Sequence, residues 1–357
     1  MLAGGNVHAL VIDSANNVWS AGKNNRGEVG HDHERLSRIE GIPPIVFVSV
    51  GDCHSLMVAF DGSVWGCGSC GKGQLGKKSH EESLLVQKLE SFPPDVQAVA
   101  CGSLHTYALT VDGSVWGCGA DQYGQLGMAS QWNLEIPQKL TTLPPIKAVA
   151  AGSHFGMFVD CEGGAWSVGL NTCGQLGLGH QKNVNVPEKI GDLPEIQAVA
   201  CGGNHSLLLD VEGGVWACGF NYHSGRSAPK SLYVPSKIEN IPHIKSVACG
   251  WYHCLLLDVY GTVRAFGDNL QNQLGVEEAD YLPSIIYTLP EIQQIYGGYK
   301  HSLFVDTTGS IWVCGDIKIC FGLDLSNIYT EKVKNLIVNG LGKKGIQTKS
   351  ARFLHGE

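Results

Sequence analysis

The chain has 357 residues, of which 47 are glycine and 14 are proline, and 43% of its residues are hydrophobic. This hydrophobic fraction excludes a disordered Gly/Pro-rich chain and, with the high glycine content, indicates a folded protein dense in turns. A net charge of -8 without a long basic run argues against a nucleic-acid or anionic-membrane binder, so no nucleic-acid partner is expected.

The hydrophobic segments and the number of cysteines indicate the cellular compartment of the protein. The first residues, "MLAGGNVHALVID", lack a charged start followed by an apolar core, and no later run approaches the ~18 apolar residues of a membrane span. An odd number of cysteines, 13, in a long chain without a signal peptide favours free thiols in a reducing compartment. We therefore expect a cytoplasmic protein without a membrane span, and the nucleus stays open as a second location.

A repeat of about 50 residues runs along the chain. Its first mark is a Gly-x-x-His spacing, whose last position holds His8, His54, His105, Phe155, His205, His253 and His301. Eleven residues after each of these lie Trp19, Trp65, Trp116, Trp166, Trp216, Arg264 and Trp312. A version of Gly-Gln-Leu-Gly follows, clearest at 73–76, 124–127 and 174–177. The constant offset shows that the seven units share one structure.

Each unit predicts four strands. In the fifth unit, "IQAVACG" (196–202), "HSLLLDV" (205–211) and "GGVWACG" (213–219) are short apolar runs bounded by glycine. Pairs such as Asp112-Gly113 predict two-residue hairpin turns between the second and third runs. Segments such as "VPEKI" (186–190) add an outer strand. One such sheet cannot bury both faces, so the sequence predicts an all-β, seven-bladed β-propeller of four-stranded antiparallel blades.

One propeller domain is expected over residues 1–357, with repeats at approximately 1–42, 43–93, 94–143, 144–193, 194–241, 242–289 and 290–342. The first unit starts at "LAGGNVH" without the strand that precedes every other unit's Gly-x-x-His. The tail "KKGIQTKSARF" (343–353) repeats the beginning of that missing strand. We therefore predict that a closing strand at 346–350 pairs with the N-terminal blade.

The repeat resembles a known family. Over residues 1 to about 323 it is similar to the regulator of chromosome condensation repeat. Three motifs in a fixed order carry the similarity: Gly-x-x-His-Ser-Leu-x-Leu, then Gly-x-Val-Trp-x-x-Gly, then Asn-x-x-Gly-Gln-Leu-Gly. The resemblance implies a seven-bladed propeller. It implies several activities, because the family includes an exchange factor for the GTPase Ran, domains of ubiquitin ligases, a plant ultraviolet sensor and bacterial effectors. Fold alone does not choose among them.

The conspicuous repeat residues are interpreted as structural. Histidines on separate blades do not converge on one site, so the six repeated histidines are expected to hold backbone groups, and the six tryptophans to pack between sheets. "GCGSCG" (66–71) matches a dinucleotide fingerprint, but no helix pattern follows it. Cys67 and Cys70 form a C-x-x-C pair, yet Cys67 occupies a repeat position. We expect no catalytic residue, no cofactor and no metal.

Strand alternation places the Gly-x-x-His loops and the segments before Gly-Gln-Leu-Gly on one face, where variable residues can carry recognition. The predicted partner-binding residues are Trp251, Tyr252, Tyr299, Lys300, Asp52, Asn204, Tyr123, Tyr222 and Arg226. Asn24, Asp121 and Asn269 are further positions on this face. The alternative interpretation is that the aromatic residues merely roof the axis. Arg264, in a tryptophan position, is a further departure from the repeat.

The favoured function is a non-enzymatic protein-interaction scaffold. The resemblance leaves two alternatives: a guanine-nucleotide exchange factor or regulator of a small GTPase, and a substrate-recruiting adaptor of a ubiquitin ligase. No blade carries a clearly extended insertion and the N-terminus has no basic tail, which makes exchange the less favoured activity. The expected partner is a protein, of which a small GTPase and a ubiquitin-pathway protein are the implied classes.

Deleting residues 343–357 should lower the melting temperature sharply, because the first blade would lose its predicted inner strand. Thermal unfolding of the full and truncated chains measures the effect. An unchanged melting temperature would count against the closing strand.

Overall fold

Seven sheets make up the molecule. A computed structural model describes residues 2–32, 34–78, 81–220, 231–276, 282–316 and 331–332. They form seven four-stranded sheets, each built from four consecutive strands in chain order. This arrangement confirms the predicted all-β, seven-bladed propeller. No segment of this described part forms a helix with the length and apolar character that crossing a bilayer requires.

Each blade runs from an inner strand beside the axis to an outer strand at the rim. The strands of blades one to four are β1 Leu2–Gly4, β2 His8–Ile12, β3 Val18–Gly22, β4 Ser37–Arg38, β5 Ile45–Val50, β6 His54–Ala59, β7 Val64–Gly68, β8 Ser83–Lys88, β9 Val96–Cys101, β10 His105–Thr110, β11 Val115–Gly119, β12 Leu134–Lys139, β13 Ile146–Ala151, β14 Phe155–Asp160, β15 Ala165–Gly169 and β16 Val184–Lys189. Those of blades five to seven are β17 Ile196–Cys201, β18 His205–Asp210, β19 Val215–Gly219, β20 Leu232–Lys237, β21 Ile244–Cys249, β22 His253–Asp258, β23 Val263–Gly267, β24 Ser284–Ile285, β25 Ile292–Gly297, β26 His301–Asp306, β27 Ile311–Gly315 and β28 Glu331–Lys332.

Burial explains why the strands have these sequences. Every residue of β18 is buried, as in the second strand of the other blades, because the neighbouring blades cover both of its faces. Such strands consist of nearly continuous apolar residues rather than an alternating pattern. The outer strand β16 instead mixes buried and exposed positions, since one of its edges borders solvent. The strands predicted in the fifth unit are confirmed to within two residues.

The hairpin between the second and third strands differs from the prediction. In the third blade the Gly113 N–H donates to the Thr110 carbonyl at 2.9 Å, and the Thr110 N–H donates to the Ser114 carbonyl at 3.0 Å. The loop therefore has three residues, a β-turn followed by a residue with positive φ. Gly113 supplies that residue with φ of 80°. The predicted two-residue connection was wrong, but the requirement for glycine is confirmed.

The first blade has an inner strand of its own. Residues Leu2, Ala3 and Gly4 pair with Val11, Leu10 and Ala9, in the register that the inner strands of other blades use. The expectation that no strand precedes His8 was therefore wrong: β1 spans three residues, whereas the inner strand β5 of blade two spans six. Residues 343–353 lie outside the described part, so closure by a C-terminal strand stays a prediction.

Buried hydrogen bonds tie the blade of His54 to the next blade. The His54 Nε2 lies 3.1 Å from the Thr106 hydroxyl oxygen of the following blade. That hydroxyl donates in turn to the Gln74 carbonyl, at 2.8 Å, back in the blade of His54. A hydroxyl has one proton to donate, so it must accept from the imidazole, which fixes the proton on Nε2. We call this arrangement of imidazole, hydroxyl and carbonyl the inter-blade latch.

The latch recurs at other junctions. His8 contacts the Ser55 hydroxyl at 2.8 Å, and Ser55 donates to the Glu28 carbonyl at 2.7 Å. His253 and Ser302 repeat both distances with the Gln273 carbonyl. Burial lowers the pKa of His8 to about 4 and that of His54 to about 3, so both imidazoles are neutral near pH 7. The neutral form supplies the single proton that the latch needs.

The junction between blades three and four replaces the latch by another hydroxyl. Gly156 occupies the hydroxyl position there, and the Tyr107 hydroxyl fills the vacated space and donates to the Gln125 carbonyl. Any side chain at Gly156 would collide with the Tyr107 ring. The carbonyl thus keeps its donor, and the tyrosine and the glycine act as one unit.

The tryptophan position is also structural. The Trp216 indole N–H donates to the Asp210 carboxylate at 3.0 Å, and its ring packs against the core. Arg264, which takes the tryptophan position in blade six, donates from Nη1 to the Asp258 carboxylate at the same distance. Asp210 and Asp258 hold the same place at the end of the second strand. Arginine in place of tryptophan at position 264 therefore keeps the hydrogen bond to the aspartate at the end of the second strand.

Replacing Thr106 by Val should lower the free energy of unfolding by about 2 kcal/mol, because the buried His54 donor would lose its acceptor and the Gln74 carbonyl would keep only the Cys118 thiol, at 3.7 Å, as a donor. Thr106→Ser is the matched control, since serine serves at Ser55 and Ser302 and should retain most of the stability. Urea unfolding of the three proteins measures the difference. Equal losses in the two variants would contradict the latch.

Candidate functional site

The Gly-x-x-His loops lie on one face of the propeller, which we call the loop face. Backbone hydrogen bonds link these loops in sequence around the axis. The Ser103 N–H donates to the Ser153 carbonyl at 3.1 Å, and the Gly203 N–H to the Trp251 carbonyl at 2.9 Å. The Trp251 N–H continues the ring to the Gly298 carbonyl at 3.1 Å. Each loop is thus held by the next blade as well as by its own.

A cavity of about 180 Å³ opens at the centre of this face. Its walls come from the last residues of the inner strands, which are Gly4, Val50, Cys101, Ala151, Cys201, Cys249 and Gly297. Its mouth includes Asn6, Asp52, Ser153, Trp251 and Tyr299. The wall residues were missed in the sequence, although one signal marks them: each immediately precedes the glycine of Gly-x-x-His.

Three aromatic rings from blades six and seven meet at the mouth, and we call them the aromatic cluster. The ring centroids of Trp251 and Tyr299 are 5.0 Å apart, and Tyr252 lies 6.2 Å from each of the two. The Lys300 ammonium lies 5.6 Å from the centroid of the Tyr299 ring. The structure thus brings together four of the residues that the sequence singled out for partner binding.

A small residue in the neighbouring blade makes room for the cluster. A Cβ atom on Gly203 would lie 2.9 Å from the Trp251 Nε1, so the indole packs directly over the backbone of blade five. All three rings are partly buried, which holds their positions while part of each surface faces solvent. Their geometry is therefore set before any partner arrives.

Asp52 and Asn204 flank the cluster in different ways. Asp52 lines the cavity mouth, and burial raises the pKa of its carboxyl group. It is close enough to Tyr299 to raise the pKa of that phenol, after the larger effects of burial and Tyr252. The Asn204 side-chain oxygen accepts a hydrogen bond from the Gln175 amide at 3.4 Å. Asp52 thus belongs to the site, whereas the Asn204 side chain also supports the loop of blade four.

Tyr123 does not join the aromatic cluster. The Tyr123 ring pairs with His154, with centroids 5.1 Å apart, at the junction of blades three and four. Burial lowers the pKa of His154. Tyr222 and Arg226 lie outside the described residues.

Three further positions expected on this face are used by their own blades. The side-chain oxygens of Asn24, Asp121 and Asn269 accept from the backbone N–H five residues later, at 3.2, 2.7 and 2.9 Å respectively. Burial raises the pKa of Asp121 to about 6. These side chains shape the Gly-Gln-Leu-Gly loops.

The C-x-x-C pair is integrated into the blades. The Cys67 thiol donates to the Glu28 carbonyl at 3.4 Å, beside the Ser55 hydroxyl that donates to the same atom. Cys70 is fully buried, and its thiol donates to the Lys77 carbonyl at 3.7 Å. Both thiols thus serve as small buried residues.

Sequence profiles of known families match the chain. The profile described as "RCC1-like domain" covers residues 1–231, and that of the "Regulator of chromosome condensation (RCC1) repeat" covers 212–257 and 244–273. The chain belongs to the RCC1-like family. The resemblance read from the repeat is confirmed.

Curated relatives match this RCC1-like chain only in part. The ultraviolet-B receptor UVR8 of Arabidopsis thaliana is 36% identical over 63 residues, which are 17% of this chain and 14% of the receptor. The human E3 ubiquitin-protein ligase HERC2 is 27% identical over 149 residues, 39% of this chain and 3% of the ligase. The matches thus span small fractions of these two proteins.

Solved structures share the fold over most of the chain. Human WBSCR16 superposes with a TM-score of 0.77 at 24% identity, covering 88% of this chain and 86% of that one. Prp20p from Saccharomyces cerevisiae superposes with a TM-score of 0.76 at 24% identity, covering 85% and 81%. That study of Prp20p concerns its binding to Gsp1p and histones. At these identities the similarity establishes the RCC1-like propeller.

Proposed function

We propose that this RCC1-like propeller is a non-enzymatic interaction scaffold that binds a partner protein on the loop face. One observation carries the proposal: three partly buried aromatic rings from neighbouring blades converge at the mouth of the axial cavity. Tryptophan and tyrosine dominate the residues that supply binding energy in protein interfaces. The cluster offers apolar ring faces, two hydroxyls and an indole, which suit recognition rather than bond cleavage.

Preorganisation supports the same function. The Trp251 backbone both donates to Gly298 and accepts from Gly203, so its loop is tied to blades five and seven. A side chain already ordered in the free protein loses little entropy when a partner binds. Binding through this cluster therefore needs no rearrangement of the propeller.

Two charged groups near the aromatic cluster would set the orientation of a bound partner. Lys300 places a cation beside the Tyr299 ring, and Asp52 places a carboxyl group close enough to raise the pKa of its phenol. A partner with an acidic group facing Lys300 and a hydrogen-bond donor facing Asp52 would match this order. Paired charges at an interface mainly fix its orientation and select the partner.

A small GTPase is the second candidate partner. The family resemblance includes an exchange factor for a GTPase, the fold is shared with Prp20p, whose study concerns binding to Gsp1p, and both Asp52 and His154 lie on the loop face. Acidic and imidazole groups on one face would allow the scaffold to act on a bound nucleotide. The match to HERC2 makes a ubiquitin-pathway protein the other class to seek among captured partners.

Affinity capture should separate the wild type from the double variant Trp251→Ala/Tyr299→Ala. Loss of two hot-spot rings is expected to weaken partner binding at least ~30-fold, which is the effect of about 2 kcal/mol from a single hot-spot ring. The matched control is Phe60→Ala/Tyr260→Ala, which removes two aromatic rings that are 81% and 77% exposed on the turns of the opposite face. The control should retain the wild-type partners.

Identical partner lists for the wild type and Trp251→Ala/Tyr299→Ala would overturn the proposed face. Loss of partners only in Phe60→Ala/Tyr260→Ala would move binding to the opposite face.

A nucleotide-release assay against a panel of small GTPases tests the second candidate. If the chain is an exchange factor, it should accelerate release from one member, and Asp52→Ala should reduce that acceleration. If the chain is a scaffold, release should stay at its spontaneous rate for every member of the panel.

A further inference from the structure

The junction between blades five and six departs from the inter-blade latch. His205 holds the imidazole position in blade five, but the hydroxyl position in blade six is occupied by Cys254. Cys249 lies directly opposite Cys254 in the pairing of β21 with β22. The junction thus places an imidazole and two thiols where the other latches have an imidazole and a hydroxyl.

The three side chains are close together. The ligand atoms of His205, Cys249 and Cys254 all lie within 4.8 Å of one another. His205 and Cys254 are fully buried, whereas Cys249 is partly buried and lines the axial cavity. The cluster therefore lies in the protein interior, with one member at a solvent-connected cavity.

We propose that His205, Cys249 and Cys254 bind one Zn²⁺ ion between blades five and six. Zinc takes thiolate and imidazole ligands at about 2.0–2.3 Å in tetrahedral geometry, and side-chain rotation within the present spacing would bring these atoms around an ion. Each thiol releases its proton to solvent as its sulfur–zinc bond forms. The cavity beside Cys249 gives the ion an entry path and leaves the fourth ligand position to water.

Charge balance favours a divalent ion such as zinc over a monovalent thiophilic ion. Two thiolates neutralise a doubly charged cation, so the loaded site carries no net charge. A singly charged ion such as Cu⁺ would leave a net negative charge, which a buried site disfavours. Zinc, a divalent ion that takes thiolate and imidazole ligands, therefore fits this ligand set better than Cu⁺ does.

Comparison of junctions shows that the combination is specific to this place. His54 faces Cys101 and Thr106 in the same positions, and His253 faces Gly297 and Ser302. Across the seven junctions of the described blades, both thiol positions are cysteine only beside His205. A repeat structure by itself would not require this pair.

The proposed site lies at the base of the hairpin that carries the aromatic cluster. Cys249 and Cys254 are paired across the two ends of the loop that contains Trp251 and Tyr252. An ion bound to both would join those ends to blade five through His205. The site is inferred from its own ligands and does not depend on the proposed partner.

Zinc titration of the full chain tests the proposal. The protein is purified with a reductant, stripped with a chelator and titrated with Zn²⁺ against a chelating indicator. We expect one tight site, and at least ~100-fold weaker binding in Cys254→Ser, Cys249→Ala and His205→Phe. Zn²⁺ should also raise the melting temperature of the wild type and not that of these variants.

The variants copy residues that other blades use in the same positions, namely Ser302, Ala151 and Phe155, so they should fold without metal. Cys101→Ala is the matched control, because it removes a thiol from the Cys249 position of another blade and should bind zinc as the wild type does. Co²⁺ provides a second readout: its thiolate charge-transfer absorption should fall by about half in Cys254→Ser.

Absence of a stoichiometric zinc site in the reduced wild type would overturn the proposal. Wild-type affinity in all three ligand variants would do the same, and so would equal weakening in Cys101→Ala. A Cys249–Cys254 disulfide in protein prepared without reductant, combined with no zinc binding after reduction, would assign the pair to redox chemistry instead.

Discussion

In each inter-blade latch, the direction of the hydrogen bonds depends on one buried proton on the imidazole Nε2. The imidazole donates to a hydroxyl of the next blade, and that hydroxyl donates back to a carbonyl of the first. Neither bond can form in another register, and each buried group would be costly if left unpaired. At the junctions of His8, His54 and His253 the latch therefore fixes the relative positions of the histidine, the hydroxyl residue and the carbonyl that accepts from it. The latch also depends on burial, because burial keeps the imidazole neutral and leaves it with a single ring proton.

The latch connects the fold with both proposed activities. It holds the Gly-x-x-His loops in place, so residues between the fixed positions can vary without disturbing the blades. Trp251, Tyr252 and Tyr299 use that freedom to form the aromatic cluster. Cys254 changes the latch itself, since a thiol takes the place of the hydroxyl beside His205 and Cys249. The proposed recognition site and the proposed metal site are thus two local modifications of one repeated geometry.

The sequence predicts the fold well because each blade repeats the same local pattern in the same register. The face and the neighbourhood of Trp251 and Tyr299 follow from strand alternation once the blades are counted. Other features depend on contacts between blades that no single unit reveals. Tyr107 compensates for Gly156 across a junction, and Leu2–Gly4 complete a strand too short to recognise. The short distances from His205 to Cys249 and Cys254 likewise become visible only when the two neighbouring blades are packed side by side.

Hydrogen exchange of the chain with and without a captured partner tests the central claim most directly, which is that recognition occurs on the loop face at blades six and seven. The account predicts that new protection is concentrated in the loops at 249–254 and 297–301, with the turns of the opposite face unchanged. Protection confined to those turns, for example at 60–62 and 259–261, would contradict it.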